Sequence, residues 1–179
     1  MRLSTLRVRN LAVFALLASL IFASQVALMP LPGVQVVGML IATVTVAYRV
    51  RALIPIYVFV ALFILYYGFF TWNLPYLYIW LPLWGIFMLA PRLKLPAKAR
   101  AVFYAVMCGL FGLSFGALYA PAQALFFGLS FEQTVAWVIA GLPVDIVHAA
   151  SNFASGLLIL PLSDLLKRLE NQPDMRGTM

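Results

Sequence analysis

Long apolar segments alternate with short basic clusters along this chain. Residues 10–48 and 52–91 contain no charged side chain, and the interval after residue 100 carries only Glu132 and acids further along. The first two intervals hold 39 and 40 residues, about twice the roughly 20 that a helix needs to cross the hydrocarbon core of a bilayer. Each interval therefore predicts a helical hairpin that crosses a membrane and returns.

Six membrane-spanning helices follow from this pattern, because proline ends helices by its missing donor and glycine by its flexibility. The predicted spans are residues 10–29, 34–48, 52–71, 76–90, 101–119 and 135–166. We expect an outer turn with a partial helix at 121–134, and a kink of the last helix at Pro143. The predicted fold class is an all-α integral membrane protein with one six-helix domain, 1–170, and a disordered cytoplasmic tail, 171–179.

The Lys and Arg residues predict the orientation, because short loops rich in these residues stay in the cytoplasm. They form four clusters: Arg2, Arg7 and Arg9; Arg49 and Arg51; Arg92, Lys94, Lys98 and Arg100; Lys167, Arg168 and Arg176. Both termini are therefore predicted to be cytoplasmic. The N-terminus resembles a signal peptide, but its apolar run reaches about 19 residues without a clear cleavage site, so we expect it to be the first span.

Composition excludes several classes of protein. Hydrophobic residues make up 65% of the chain and charged residues 9%, whereas soluble domains contain about 25% charged residues. The orientation accounts for the net charge of +7, so nucleic-acid binding is not expected. A single cysteine, Cys108, excludes an internal disulfide. We expect the spans to leave no room for a soluble catalytic domain.

One helix face in the last span carries three polar side chains. Asp145 is about 16 Å along that helix at 1.5 Å per residue, near the bilayer midplane, and His148 and Asn152 follow at i+3 and i+7. An ionisable group at that depth is a functional candidate, so these three residues are predicted to bind a ligand. The alternative is that Asp145 and His148 satisfy each other inside the bundle. Two such ligands do not make a closed metal site, so no metal is expected.

Aromatic and amide residues are concentrated in the predicted outer segments. They are Gln35, Trp72, Asn73, Tyr76, Tyr78, Trp80, Trp84, Gln123, Glu132, Gln133 and Trp137. Such aromatic residues commonly form only an interfacial belt. Together with the amides, they also suit a pocket for a flat or amide-rich ligand.

Small residues recur at four-residue spacing on two spans, where they allow helix backbones to approach closely. The first span carries Ala15, Ser19 and Ala23, and the fifth carries Cys108, Gly112, Gly116 and Ala120. Packing within the molecule is the usual explanation. For the first span, docking of another membrane protein is the competing one.

These features together resemble the substrate-binding S components of energy-coupling factor (ECF) vitamin transporters. The resemblance covers nearly the whole chain and includes the small residues of the first span, the LPGV turn at 31–34 and the string GLPVDIVHAASNF at 141–153. It implies a small subunit that captures a vitamin at its outward end and has no nucleotide site or cofactor. It also implies association, through the first helix, with a transmembrane coupling subunit and two ATPases, and toppling within the bilayer. Ser19 departs from an all-alanine stripe but is still small.

The absence of Lys and Arg from the predicted outer half restricts the ligand, since nothing there pairs with a carboxylate or phosphate. Biotin, folate and pantothenate are disfavoured. Cobalamin leads the expected ligands, followed by riboflavin, thiamin and queuine.

Two other functions are alternatives. Ser114, in a Gly-Leu-Ser-Phe-Gly string, and His148 suggest a rhomboid-like intramembrane serine protease with a catalytic dyad. Against this, a rhomboid-like GxSG string and an oxyanion donor on the second span are missing. A membrane assembly protein without a ligand is the third possibility.

Overall fold

The computed structural model describes residues 2–171, and their side chains from Val8 onward. It contains eight α-helices: α1 (Arg2–Leu28), α2 (Val37–Tyr48), α3 (Leu53–Tyr67), α4 (Tyr76–Leu89), α5 (Ala97–Leu113), α6 (Phe115–Phe127), α7 (Phe131–Gly156) and α8 (Ile159–Asn171). Short 3-10 turns, Arg49–Ala52 and Ala90–Arg92, follow α2 and α4. The all-helical prediction is confirmed for the described residues, which contain no strand.

Four segments are long and apolar enough to cross a membrane: Val8–Leu28, Val37–Tyr67, Ala97–Phe127 and Phe131–Gly156. Two of them, Val37–Tyr67 and Ala97–Phe127, contain a break between consecutive helices. The chain is therefore compatible with a multi-pass membrane protein.

The chain reverses direction between α2 and α3. Midway along α1, Phe14 packs edge-on against Tyr48 at the end of α2, with ring centroids 5.2 Å apart. Near the end of α1, Phe22 packs in the same way against Tyr66 at the end of α3, at 5.5 Å. Thus α2 runs antiparallel to α1 and α3 runs parallel to it, and Arg49 at the reversal has φ 59°.

The α5–α6 segment and α7 form a tight antiparallel hairpin. A β-carbon added at Gly112 would lie 2.7 Å from the His148 carbonyl oxygen, and one at Gly156 would lie 2.8 Å from the Ala105 Cα. These distances leave no space for a side chain. The small residues of the fifth span therefore serve packing within the molecule, as the usual explanation held.

The predicted end of the fifth span at residue 119 is wrong, as is the partial outer helix at 121–134. The helix continues through Pro121 to Phe127 and ends at Gly128, which has φ 63°. Ser130 then caps α7, because its side chain accepts from the Gln133 backbone while the Gln133 side chain accepts from the Ser130 backbone. Membrane helices tolerate an internal proline when neighbouring groups satisfy the freed backbone.

The last predicted span, 135–166, is two helices rather than one. Pro143 lies inside α7, and the interruption comes at Leu157 and Leu158. Pro161 explains that position, because it lacks the N–H that would bond the Leu157 carbonyl but is tolerated in the first turn of α8. Of the predicted tail, Asn171 ends α8 and residues 172–179 lie outside the described part.

Other predicted boundaries also shift. The first and fifth spans begin earlier, at Arg2 and Ala97; the second begins later, at Val37; and the third ends at Tyr67 rather than at residue 71. Only the fourth is close to its predicted bounds.

Basic residues from all four clusters meet at one end of the bundle, named here the basic end. Arg9 donates to the Glu170 carbonyl oxygen at 2.9 Å, and Arg51 pairs with the Glu170 carboxylate at 2.7 Å. Arg49 and Arg100 both lie within electrostatic range of Tyr104 on α5. Arg9 of α1, the α2–α3 reversal, the start of α5 and the end of α8 therefore share one end.

Candidate ligand-binding cleft

A cleft of about 360 Å³ lies toward the end opposite the basic end, and we name it the aromatic cleft. It is bounded by the α3–α4 connection, α4, α6 and α7. Its lining residues are Trp72, Tyr76, Phe115, Gly116, Tyr119, Trp137, Gly141, Val144, Asp145 and His148. One carboxylate, one imidazole and five aromatic rings therefore face the same space, with no Lys or Arg among them.

Aromatic packing in the core positions the walls of the cleft. The Tyr76 ring stacks on Phe63 with centroids 4.2 Å apart and an interplanar angle of 7°. On the other side, Phe115 and Tyr119 lie one helical turn apart on α6, with their rings 5.7 Å apart. The Tyr119 hydroxyl donates to the Trp72 carbonyl and so attaches the α3–α4 connection to α6.

Asp145 owes its position to the break between α5 and α6. Because α6 begins at Phe115, the Gly116 N–H belongs to its first turn and has no intrahelical acceptor. It donates instead to both Asp145 carboxylate oxygens, at 3.2 and 3.1 Å. The partial positive charge of a helix N-terminus favours a carboxylate there. Asp145 is only 4% exposed, yet each carboxylate oxygen keeps a further lone pair that a ligand can use.

His148 lies beside Asp145 without a hydrogen bond to it. The His148 Nδ1 and Asp145 Oδ1 are 3.6 Å apart, which is beyond hydrogen-bond distance. The imidazole packs edge-on against Phe115 at 5.0 Å, and its buried Nδ1 has no partner. A buried polar atom without a partner is uncommon in a native structure. The alternative interpretation was that Asp145 and His148 satisfy each other's hydrogen-bonding groups inside the bundle. The unpartnered Nδ1 of His148 shows that they do so only in part.

Asn152, the third polar residue predicted for this face, does not line the cleft. Its Nδ2 donates to the His148 carbonyl oxygen at 2.9 Å, and its Oδ1 lies 3.5 Å from the Cys108 Sγ. Gly38 of α2 packs so closely that a β-carbon there would collide with the Asn152 amide. Asn152 thus joins α2, α5 and α7 deeper in the bundle.

Five of the residues predicted to bind a ligand line the cleft, and the others do not. Trp72, Tyr76, Trp137, Asp145 and His148 line it. Trp80 lies behind the wall, 2% exposed, and Asn73 donates to the Gly68 carbonyl oxygen at 2.6 Å within the α3–α4 connection. Gln123 is 3% exposed, and its buried Nε2 has no partner.

Gln35 lies on another side of α7. Its backbone N–H donates to the Ser151 hydroxyl at 3.1 Å, and the same hydroxyl lies 3.2 Å from the Gln35 carbonyl oxygen. Ser151 therefore holds the α1–α2 connection against α7. Trp84, predicted at the outer face, instead donates to the Arg49 carbonyl oxygen at the basic end, at 3.3 Å, so that prediction is wrong.

Sequence reasoning missed five lining residues: Phe115, Gly116, Tyr119, Gly141 and Val144. The four-residue spacing of small residues predicts only a packing role for Gly116, and Pro121 predicts the end of a helix at residue 119. The sequence pattern that marks these residues is the four-residue spacing of Phe115 and Tyr119 beside Gly116, the glycine that faces Asp145. This pattern can be interpreted only when the packing of α6 against α7 is known.

The small residues of α1 face away from the rest of the helix bundle. Ala15, Ser19 and Ala23 are all exposed in this chain. Packing within the molecule therefore does not account for them, in contrast to the glycines of α5.

The described residues contain no group of three His, Cys, Asp or Glu side chains arranged to hold a metal ion.

Comparison of the chain with protein-family models, with curated proteins and with solved structures returned no match.

Proposed function

We propose that this chain is the substrate-binding S component of an ECF-type transporter, which captures a vitamin-like molecule outside the cell. The aromatic cleft carries the proposal: it combines aromatic walls with a carboxylate and an unpartnered imidazole. Concave sites with apolar walls and a few convergent polar groups are the usual form of small-molecule sites. The cleft is also far from the basic end, where a cytoplasmic partner would act.

In this proposal the chain crosses the membrane six times. The reversal at Arg49 and the turn at Gly128 and Ser130 support that number, since each returns the chain toward its starting side. The basic end faces the cytoplasm, because Lys and Arg are retained there. Both termini are then cytoplasmic, and the aromatic cleft faces outward in a bacterial plasma membrane.

The proposed ligand is small, flat and neutral or cationic. Aromatic walls favour stacking of a planar ring, and Asp145 accepts a hydrogen bond or pairs with a positive charge. The cleft's 360 Å³ is near the lower limit of the roughly 300–1,000 Å³ typical of ligand sites. This size favours thiamin, queuine or riboflavin over cobalamin, which would require the cleft to widen.

The proposed partners are a transmembrane coupling subunit and two ATP-binding subunits. The outward-facing small residues of α1 support a contact there, because such residues let another membrane helix approach closely. No cofactor belongs to the proposal.

The protease alternative gains little from the geometry. The Ser114 hydroxyl donates to the Phe111 carbonyl oxygen, three residues earlier in the chain, at 2.9 Å. The imidazole of His148 instead contacts Phe115 and Asp145. An assembly protein without a ligand is the other alternative, and ligand binding separates it from the proposal.

Equilibrium binding of thiamin, queuine, riboflavin and cobalamin to the purified protein tests the proposal. We expect one of the three small ligands to bind, and Asp145→Asn to weaken its binding about tenfold or more because the negative charge is lost. Glu132→Gln is the matched control, since Glu132 is exposed on the same helix. Failure of all four compounds to bind, or equal affinities for the two variants, would contradict the proposal.

A further inference from the structure

Two arginines at the basic end have buried N–H groups without a partner. They are the Nη1 of Arg49 and the Nε of Arg100. Two other cations at this end are paired: Arg51 with Glu170 at 2.7 Å and Lys167 with Asp164 at 3.3 Å. Arg49 and Arg100 have no such ion pair, and unlike the exposed Arg92, Lys94 and Lys98 they carry buried N–H groups.

The two arginines lie on neighbouring elements of the basic end. Arg49, at the α2–α3 reversal, contacts Trp84 of α4 through its carbonyl, and Phe87 of α4 packs against Tyr104 with ring centroids 5.4 Å apart. Arg100 lies one helical turn before Tyr104 on α5. Each residue is anchored through other atoms: the Arg49 carbonyl accepts from Trp84 at 3.3 Å, and the Arg100 Nη2 donates to the Leu95 carbonyl at 3.1 Å. Arg49 also adopts φ 59°, a region that non-glycine residues seldom occupy.

Two cationic side chains on neighbouring elements, each with an unsatisfied buried N–H group, are unfavourable unless an anion binds to them. A buried donor left unsatisfied keeps its desolvation cost, and that cost is larger when the group is charged. Asp164 also acts on Tyr104, but its carboxylate pairs with Lys167. In the described part of the chain no carboxylate forms an ion pair with Arg49 or Arg100.

We propose that Arg49 and Arg100 form a phosphate site that binds the headgroup of an anionic phospholipid in the leaflet at the basic end. Guanidinium groups match phosphate oxygens in geometry and charge. Basic pockets between membrane helices on the cytoplasmic side commonly hold such headgroups. The site is separate from the aromatic cleft and does not depend on the proposed transport function.

Titration of the purified full chain with dioleoylphosphatidylglycerol, followed by native mass spectrometry, tests this site. We expect Arg49→Gln and Arg100→Gln each to weaken lipid binding about tenfold, because one of two charge-assisted contacts is lost. Arg92→Gln is the matched control: it removes an exposed cation from the same end and should change binding less than about twofold. Dioleoylphosphatidylcholine should bind much more weakly to all forms.

Competition with inorganic phosphate distinguishes a lipid headgroup from free phosphate as the ligand of this site. Arginine-dependent binding of the lipid without competition from phosphate supports the lipid, whereas competition supports a free phosphate site at the same two residues. Equal lipid binding by wild type, Arg49→Gln, Arg100→Gln and Arg92→Gln would overturn the proposal. If Arg49→Gln fails to fold because the reversal is disturbed, Arg100→Gln decides the question, since α5 does not depend on that turn.

Discussion

The Asp145 carboxylate makes a structural hydrogen bond and is also available to a ligand in the aromatic cleft. It accepts the Gly116 N–H with both oxygens and so caps α6, while it also lines the aromatic cleft. A carboxylate held in this way is oriented before any ligand arrives, which lowers the cost of binding. His148 adds an unpartnered nitrogen at the same depth, whereas Asn152 is engaged with helix neighbours.

At this scale we predict that His148 and Asn152 behave differently. His148→Ala should weaken binding of the compound that the wild type binds in the four-compound panel, with little loss of folding. Asn152→Ala should leave that affinity within about twofold but destabilise the protein by about 1–3 kcal/mol, because buried hydrogen bonds are lost. Ligand titration and thermal unfolding in detergent measure the two effects. A larger affinity loss in Asn152→Ala than in His148→Ala would be inconsistent with the proposed site.

Contact between α5 and α7 determines how the cleft is built. The glycines of α5 and α6 face α7 at its backbone and at Asp145, so the two segments are as close as main chains allow. That proximity lets the first turn of α6 reach Asp145. A small change in helix separation therefore affects both stability and the cleft.

Gly112→Ala tests this contact. Its β-carbon would meet the His148 backbone at 2.7 Å, and because a main chain cannot rotate aside, the helices have to separate. We expect destabilisation of about 1–3 kcal/mol. Gly85→Ala is the control: it has open space in α4 and should stabilise the helix by about 0.5–1 kcal/mol. Thermal unfolding that ranks the two variants in the opposite order would show that the close approach is unimportant.

The whole molecule has two chemically different ends. At the basic end, Arg9 and Arg51 contact Glu170 and Lys167 pairs with Asp164, whereas the aromatic cleft lies toward the other end. The four long apolar segments between these ends suit a bilayer. This polarity predicts an orientation that labelling can measure.

Introduced cysteines report that orientation. A membrane-impermeant maleimide applied to intact cells should label Glu132→Cys, and should label Lys94→Cys only after permeabilisation. The native Cys108 is fully buried and should not react. Labelling of Lys94→Cys in intact cells would reverse the proposed orientation and place the aromatic cleft on the cytoplasmic side.

Partner binding is tested on the exposed face of α1 that carries Ala15, Ser19 and Ala23. Ala15→Leu should preserve ligand affinity but abolish uptake, because the larger side chain blocks close approach of a partner helix. Ala61→Leu makes the same change at an exposed position of α3 and should leave uptake unchanged. Radiolabelled uptake and co-purification of the ATP-binding subunits are the measurements. Normal uptake in Ala15→Leu would count against α1 as the contact.

The sequence predicted the helical class and much of the helix order, because charge-free intervals and proline positions are local properties. It also selected Asp145 and His148, since an acid within an apolar helix stands out without any structure. One prediction failed because a local signal does not decide the structure: Pro121 lies within α6, and membrane helices tolerate an internal proline when neighbouring groups satisfy the freed backbone. The position of Asn152 could not be read from helical spacing, because Gly38 comes from a helix distant in the sequence.

By itself, then, the sequence determined that this chain is apolar and helical and that its basic residues are grouped, because composition and periodicity act along a single segment. Only the tertiary structure decided which polar residues share a cavity, since that depends on how closely two helices pack. The break at Ser114, the glycines against α7 and the capping of α6 by Asp145 together create the cleft. The glycine contacts and the cap join residues far apart in the chain, so no single segment reveals the cleft.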